Sequence, residues 1–200
     1  MDLKIRGVLV EQVRRARRSP KHYPGTKTSG YEEEMTATQT SRIGKVRVDG
    51  GSATLTFERR VPHPIEAVWS AITRSEEMSK WYLEAKIEGR IGGRIQLSSD
   101  QGSVTGRILI WDPPHIFEHE WIVDRSGFPQ GEYGIIRWEL VAHNNETILK
   151  LTHRGLKKET ALNFAPGIHA ILDRLEAYLD QKPLPDWQKR QKEVRPNYLL

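Results

Sequence analysis

Between Leu83 and His153 the chain runs through six segments that alternate apolar and polar residues: Leu83 to Glu88, Arg94 to Ser99, Val104 to Trp111, Ile116 to Val123, Gly134 to Ala142 and Thr147 to His153. No helical segment separates any two of them. Parallel strands need a crossover of a dozen or more residues, usually a helix, so six strands in direct succession commit the chain to antiparallel connections. The joints carry matching turn chemistry, in Gly92-Gly93, Asp100 to Gly102, Asp112-Pro113-Pro114, Gly127 to Gly131 and Asn144-Asn145.

What flanks this block completes the architecture. Ala53 to Val61 alternates and predicts one more strand, which Pro62-His63-Pro64 ends. Apolar residues at 65, 68, 69 and 72 then predict a short helix entered through proline, and a second follows over Ser75 to Trp81 with Ser75 as its expected cap. Lys158 to Gln181 reads as one long helix with Leu162, Ile168, Ile171, Leu172, Leu175 and Leu179 on its apolar face. A curved sheet must cover its apolar side, and only this last helix is long enough to do so. The expectation is an α+β domain of about seven antiparallel strands packed on a long C-terminal helix, with two short helices after the first strand.

Composition bounds the rest. Two hundred residues with 37% apolar content suffice for one ordinary domain and a short appendage. No run of 18 apolar residues could span a bilayer, and Val8 to Val10 is too short for a signal-peptide core, so a soluble, cytoplasmic protein without a membrane span is expected. The absence of cysteine rules out disulfides, thiolate metal sites and a cysteine nucleophile. Residues 1–45 hold 10 Lys/Arg and 5 Asp/Glu of the 31 and 26 in the chain, leaving 21 of each in the remainder. The formal excess of +5 therefore belongs to the N-terminal segment. That segment is expected to form a basic helix over Asp2 to Arg18 and a flexible linker over Lys21 to Ser41, dispensable for the fold. A main domain over 46–182 and a tail over 183–200 follow. The arginines from Arg14 to Arg18 lack interleaved aromatics and the main domain is charge-balanced, so nucleic acid is not an expected partner.

Several of these residues look familiar together. Phe57-Glu58-Arg59, Pro64, Glu66, Val68-Trp69, Ala71-Ile72-Thr73 and Lys80-Trp81-Tyr82 resemble the opening of Hsp90-ATPase-activator homologue domains, a branch of the START/Bet v1-like, polyketide-cyclase-like (SRPBCC) superfamily. The resemblance continues through Gly92-Gly93, Gly106, Pro113-Pro114, Trp121, Trp138, Thr147, Leu149, Leu151, His153 and Gly155-Leu156, covering about Ala53 to Gln181. It departs at Gly167-Ile168, where many relatives carry Gly-Trp. It implies a helix-grip fold with a cavity between sheet and last helix, and a ligand that varies from one relative to another.

Strand parity selects the side chains that share the cavity face, since residues two apart point the same way. Phe117, His119 and Trp121 form one set, Ile136, Trp138 and Leu140 a second, and Leu149, Leu151 and His153 a third. Phe164 and Ile168, four apart on the last helix, present one face to them. Trp81 and Tyr82 stand where the second short helix meets the first returning strand, a position that resembles the superfamily's cavity mouth. The candidate ligand-binding residues are thus Trp81, Tyr82, His119, Trp121, Trp138, His153, Phe164 and Ile168. The alternative is a filled core in which the two histidines only satisfy backbone carbonyls. His115-Ile116-Phe117-Glu118-His119 matches a zinc-protease pattern that requires a helix. On a strand the two rings stand about 13 Å apart, so no metal is expected there, and no cofactor elsewhere.

The leading functional expectation is binding of a small, mostly hydrophobic molecule. Two other classes stay open. The resemblance implies an Hsp90-type co-chaperone, although residues 1–45 are too few to make the additional N-terminal domain that eukaryotic activators carry. A cyclase or hydrolase would use His119 or His153 as general base, but Glu118 and Glu120 have the opposite parity and leave no acidic partner on that face. A homodimer through the N-terminal segment also stays open.

Overall fold

The computed structural model describes residues 42–100, 102–124 and 133–198. The expected basic helix and linker lie outside the described residues, as does the turn from Gly127 to Gly131. Eight antiparallel strands form one sheet: β1 (Lys45–Asp49), β2 (Ser52–Val61), β3 (Glu84–Ile87), β4 (Arg94–Ser99), β5 (Gly102–Asp112), β6 (Ile116–Asp124), β7 (Tyr133–His143) and β8 (Glu146–Leu156). Their spatial order is β1-β2-β8-β7-β6-β5-β4-β3, so the chain crosses the sheet once, between β2 and β3, and otherwise advances by neighbouring strands. That crossing carries α1 (Ile65–Thr73) and α2 (Ser75–Trp81), while α3 (Lys158–Leu179) follows β8.

Period-two burial is visible along β2, whose Ala53, Leu55, Phe57, Arg59 and Val61 point inward while their neighbours are more open. Ala161, Ala165, Ile168, Leu172 and Leu175 of α3, spaced three and four apart as one helical face, are buried: Ala161 packs with Ala53 and Leu156, and the other four join the main core. A bulge between Ile108 and Ile110 shifts the pairing of β5 with β6, beside Gly106, where any Cβ would stand 2.0 Å from the carbonyl oxygen of Glu120. Only glycine permits so close an approach of two backbones.

Three features differ from the sequence reading. β1 is an additional edge strand paired with β2 from Lys45↔Thr56 to Asp49↔Ser52. It is short and almost wholly exposed, and its alternation of Val46 and Val48 with charged residues runs for only five positions. Ser75 does not cap α2: it is the first helical residue, and its Oγ accepts the amide N–H of Ile87 at 2.9 Å, tying the helix to β3. Finally, residues beyond the long helix fold back as α4 (Trp187–Val194) and a 3-10 turn over Arg195–Tyr198. Asp186 caps α4 by accepting the amide of Lys189 at 2.7 Å.

A buried polar network locks these terminal pieces onto α3. Asp173 accepts from Arg42 at 2.9 Å and from Arg190 of α4 at 2.7 Å, and Glu176 accepts from Arg42 at 2.7 Å. The Tyr198 hydroxyl accepts the Gly44 amide at 3.0 Å and shares a 2.7 Å hydrogen bond with His169 Nδ1. Arg59, the one charged residue on the inner row of β2, is 3% exposed and lies 3.3 Å from Glu176. Burial and the neighbouring Arg42 pull its pKa down to about 10, so it stays charged at neutral pH.

Candidate ligand cavity

The register of β6, β7 and β8 places His119, Ile136 and His153 in one row across the concave face, because Ile136 pairs with both histidines. Trp121 is opposite Gly134, and Trp138 lies between Phe117 and Leu151. Above this wall Phe164 stacks on His153 with ring centres 5.5 Å apart, while Trp121 meets His153 edge-on at 5.7 Å. The sheet and α3 do not close completely: they enclose a cavity of about 450 Å³. Its wall is mostly aliphatic and aromatic, with Leu97, Val104, Ile136, Leu151, Ile168 and Ile171 contributing.

Seven of the eight candidates line this space: Tyr82, His119, Trp121, Trp138, His153, Phe164 and Ile168. Trp81 is not among them. It is fully buried between α1 and α2, donating Nε1–H to the Ala71 carbonyl at 3.0 Å and stacking on Tyr82, so it supports the wall from behind. The sequence reading missed Trp187, Gln188 and Gln191 of α4, which cover one side. A readable signal existed in Asp186-Trp187, an N-cap residue before an amphipathic stretch. Arg174 also reaches the wall, positioned by donating to the carbonyls of Trp81 at 2.8 Å and Pro185 at 2.6 Å.

Both cavity histidines are neutral at pH 7. Burial holds His119 down to about 4, and burial together with the nearby His119 holds His153 down to about 3. The Nδ1–H of His119 donates to the Glu120 carbonyl at 2.8 Å, which assigns Nε2 as an acceptor. His153 is different: neither ring nitrogen has a hydrogen-bond partner among the described residues, and the same holds for Trp121 Nε1. Gly134 makes room for the His153 ring, since a Cβ there would stand 2.5 Å from its Nε2.

Among the described residues no carboxylate orients either imidazole. Glu118 faces the other side of the sheet, bound by Arg154 at 2.9 and 3.0 Å and Arg137 at 3.2 Å, which holds its carboxyl below the usual range. Glu120 Oε2 accepts the Arg107 amide at 3.0 Å. His115 sits in the turn before β6, with Nδ1 3.3 Å from the Leu140 carbonyl, and among the described residues no three His, Asp or Glu side chains are grouped to hold a metal.

Comparison with known proteins agrees with this architecture. Residues 62–180 match the family model described as Activator of Hsp90 ATPase homolog 1-like protein. Among solved structures, CalU16 from Micromonospora echinospora superposes with a TM-score of 0.62 at 22% identity, covering 78% of this chain and 93% of that one. Protein MLL2253 from Mesorhizobium loti gives 0.60 at 21% identity over 66% and 99% of the two chains. DynU16, from the dynemicin biosynthetic locus, gives 0.59 at 18% identity over 66% and 49%. At these identities the likeness is one of fold. No curated protein matches the sequence. No helix among the described residues is long and apolar enough to cross a membrane.

Proposed function

We propose that this chain, which belongs to the Activator of Hsp90 ATPase homolog 1-like protein family through residues 62–180, binds a small, mostly hydrophobic molecule between its sheet and α3. The observation that carries the reading is the cavity itself. Protein interiors are close-packed, and voids larger than a few water molecules are uncommon. A space of about 450 Å³ lined by aliphatic and aromatic side chains is within the size range of small-molecule sites. An apolar molecule entering it leaves water and gains close contact with the wall.

An enzymatic reading has less support. Imidazoles held near pKa 4 and 3 are weak bases at neutral pH, and neither has the acidic partner that would orient and strengthen it. The co-chaperone reading rests on the family's description alone.

Titration of a panel of lipids and aromatic metabolites, followed by the fluorescence of Trp121 and Trp138, tests the proposal. The expected result is a saturable change with at least one compound, lost when Ile168→Trp fills the cavity while the variant still unfolds cooperatively. Unchanged binding in Ile168→Trp, or no saturation with any member of the panel, would overturn it.

A further inference from the structure

The polar atoms on the inner wall constrain the ligand further, given the binding reading above. Trp121 Nε1 can only donate, and it is buried without an acceptor among the described residues. His153 has no exposed surface, and as a neutral imidazole it offers one N–H and one lone pair, both unpartnered. His119 has spent its N–H on the Glu120 carbonyl and keeps only a lone pair. Native proteins pair nearly all their buried polar atoms, so two adjacent aromatic side chains with three orphaned nitrogens mark a place where a partner is missing.

We infer that the cavity selects an apolar molecule carrying a neutral hydroxyl, phenolic or alcoholic, which accepts from Trp121 and donates to an imidazole of the His119–His153 row. The complement decides this. A hydroxyl both accepts and donates, matching a wall that presents indole N–H, imidazole N–H and imidazole lone pairs. An ether or ketone only accepts and leaves the lone pairs empty. An ammonium only donates and leaves Trp121 unsatisfied. A carboxylate only accepts, and it would bring a charge to a wall with no cation beside it. The only cation among the described residues that line the cavity, Arg174, lies ten residues along α3 from the Phe164 that stacks on His153. That separation is about 15 Å along the helix axis. Its neighbour there is Asp186, the one carboxylate among the described residues of the wall. The orphaned nitrogens carry almost no surface open to water, so solvent does not satisfy them. Phe164 and Trp121 pack on the His153 ring, so a hydroxyl reaches its nitrogens as that packing loosens on binding.

Four probes of one shape test the inference on the full chain: 2-naphthol, 2-methoxynaphthalene, naphthalene and 2-naphthoate, compared by calorimetric titration at pH 7. The expected order puts 2-naphthol about tenfold or more ahead of the other three, the gain from one satisfied buried hydrogen bond. In Trp121→Phe and His153→Leu the ratio of 2-naphthol to naphthalene affinity should fall to about one, whatever the change in absolute affinity. In the unmodified protein, 2-naphthol but not naphthalene should move the Trp121 indole N–H proton downfield, a readout that needs no variant to fold. Equal affinity for all four, or a lead for 2-naphthoate, would overturn the hydroxyl assignment while leaving the cavity reading intact. Failure of every probe to bind would count against both.

Discussion

Gly134→Ala places a methyl carbon 2.5 Å from Nε2 of His153, 3.1 Å from its Cδ2 and 3.2 Å from Cδ2 of Leu156. The first of these is closer than side-chain atoms approach in folded proteins, so the imidazole has to move. Its escape is restricted, since Phe164 stacks on one face at 5.5 Å and Trp121 meets it edge-on at 5.7 Å. Overpacking of this kind costs about 1–3 kcal/mol. Against it stands the lower unfolded-state entropy of alanine, worth about 0.4–1 kcal/mol, because Gly134 does not occupy the left-handed region. A net loss of about 1–2 kcal/mol follows, or a fall in Tm of roughly 2–8 °C for a chain of this size. Urea unfolding of the variant measures it. The assignment to His153 is checked by the double variant Gly134→Ala/His153→Ala, which should be no less stable than His153→Ala alone, since the obstacle is gone. A Gly134→Ala protein as stable as the parent would refute the reasoning, as would an equal penalty in both backgrounds.

Three further outcomes are expected. His119 and His153 are held to about 4 and about 3 when folded, against 6.5 in an ordinary environment, so the unfolded chain takes up protons that the native state refuses. Their contribution to stability is whole above pH 6.5 and falls by roughly 1 kcal/mol per pH unit for each histidine on the way down to about 4, to be read from urea midpoints at pH 7.5 and 5. Asp173→Asn removes the charge shared by Arg42 and Arg190 beside the buried Arg59, and should cost about 3 kcal/mol in equilibrium unfolding; a change below 1 kcal/mol would show that the network is not what holds α4. Tyr198→Phe leaves the Gly44 amide and His169 Nδ1 without their shared partner and should cost about 1–2 kcal/mol, with faster exchange of the Gly44 amide as the local signature.

The cavity wall was legible in the sequence wherever one strand or one helix turn decided orientation. His119 with Trp121, Ile136 with Trp138 and Leu151 with His153 share a face because side chains alternate along a strand, and Phe164 with Ile168 do so because four residues bring a helix round once. Trp81 and Tyr82 show where such reasoning stops. They are adjacent at a helix-to-strand corner, and only the packing of α1 on α2 turns the first toward the Ala71 carbonyl and leaves the second on the cavity. β1 escaped notice for a related reason: Lys45 to Asp49 alternates over only five residues, too short a run to stand out by itself, and it is held by its pairing with β2.

By itself, the sequence determined that the strands are antiparallel, that a long helix covers them and which strand faces look inward. Those properties follow from local rules: the period of the side chains, the turn residues and the absence of crossover helices. Only the tertiary structure decided which inward polar atoms have partners. His119 finds the Glu120 carbonyl, while the ring nitrogens of His153 and Trp121 find no hydrogen-bond partner among the described residues. It also decided that Gly134 must lack a side chain and that α4, from beyond the last helix, supplies part of the wall. Partnership and free volume depend on groups far apart along the chain, and no local pattern encodes the distance between them.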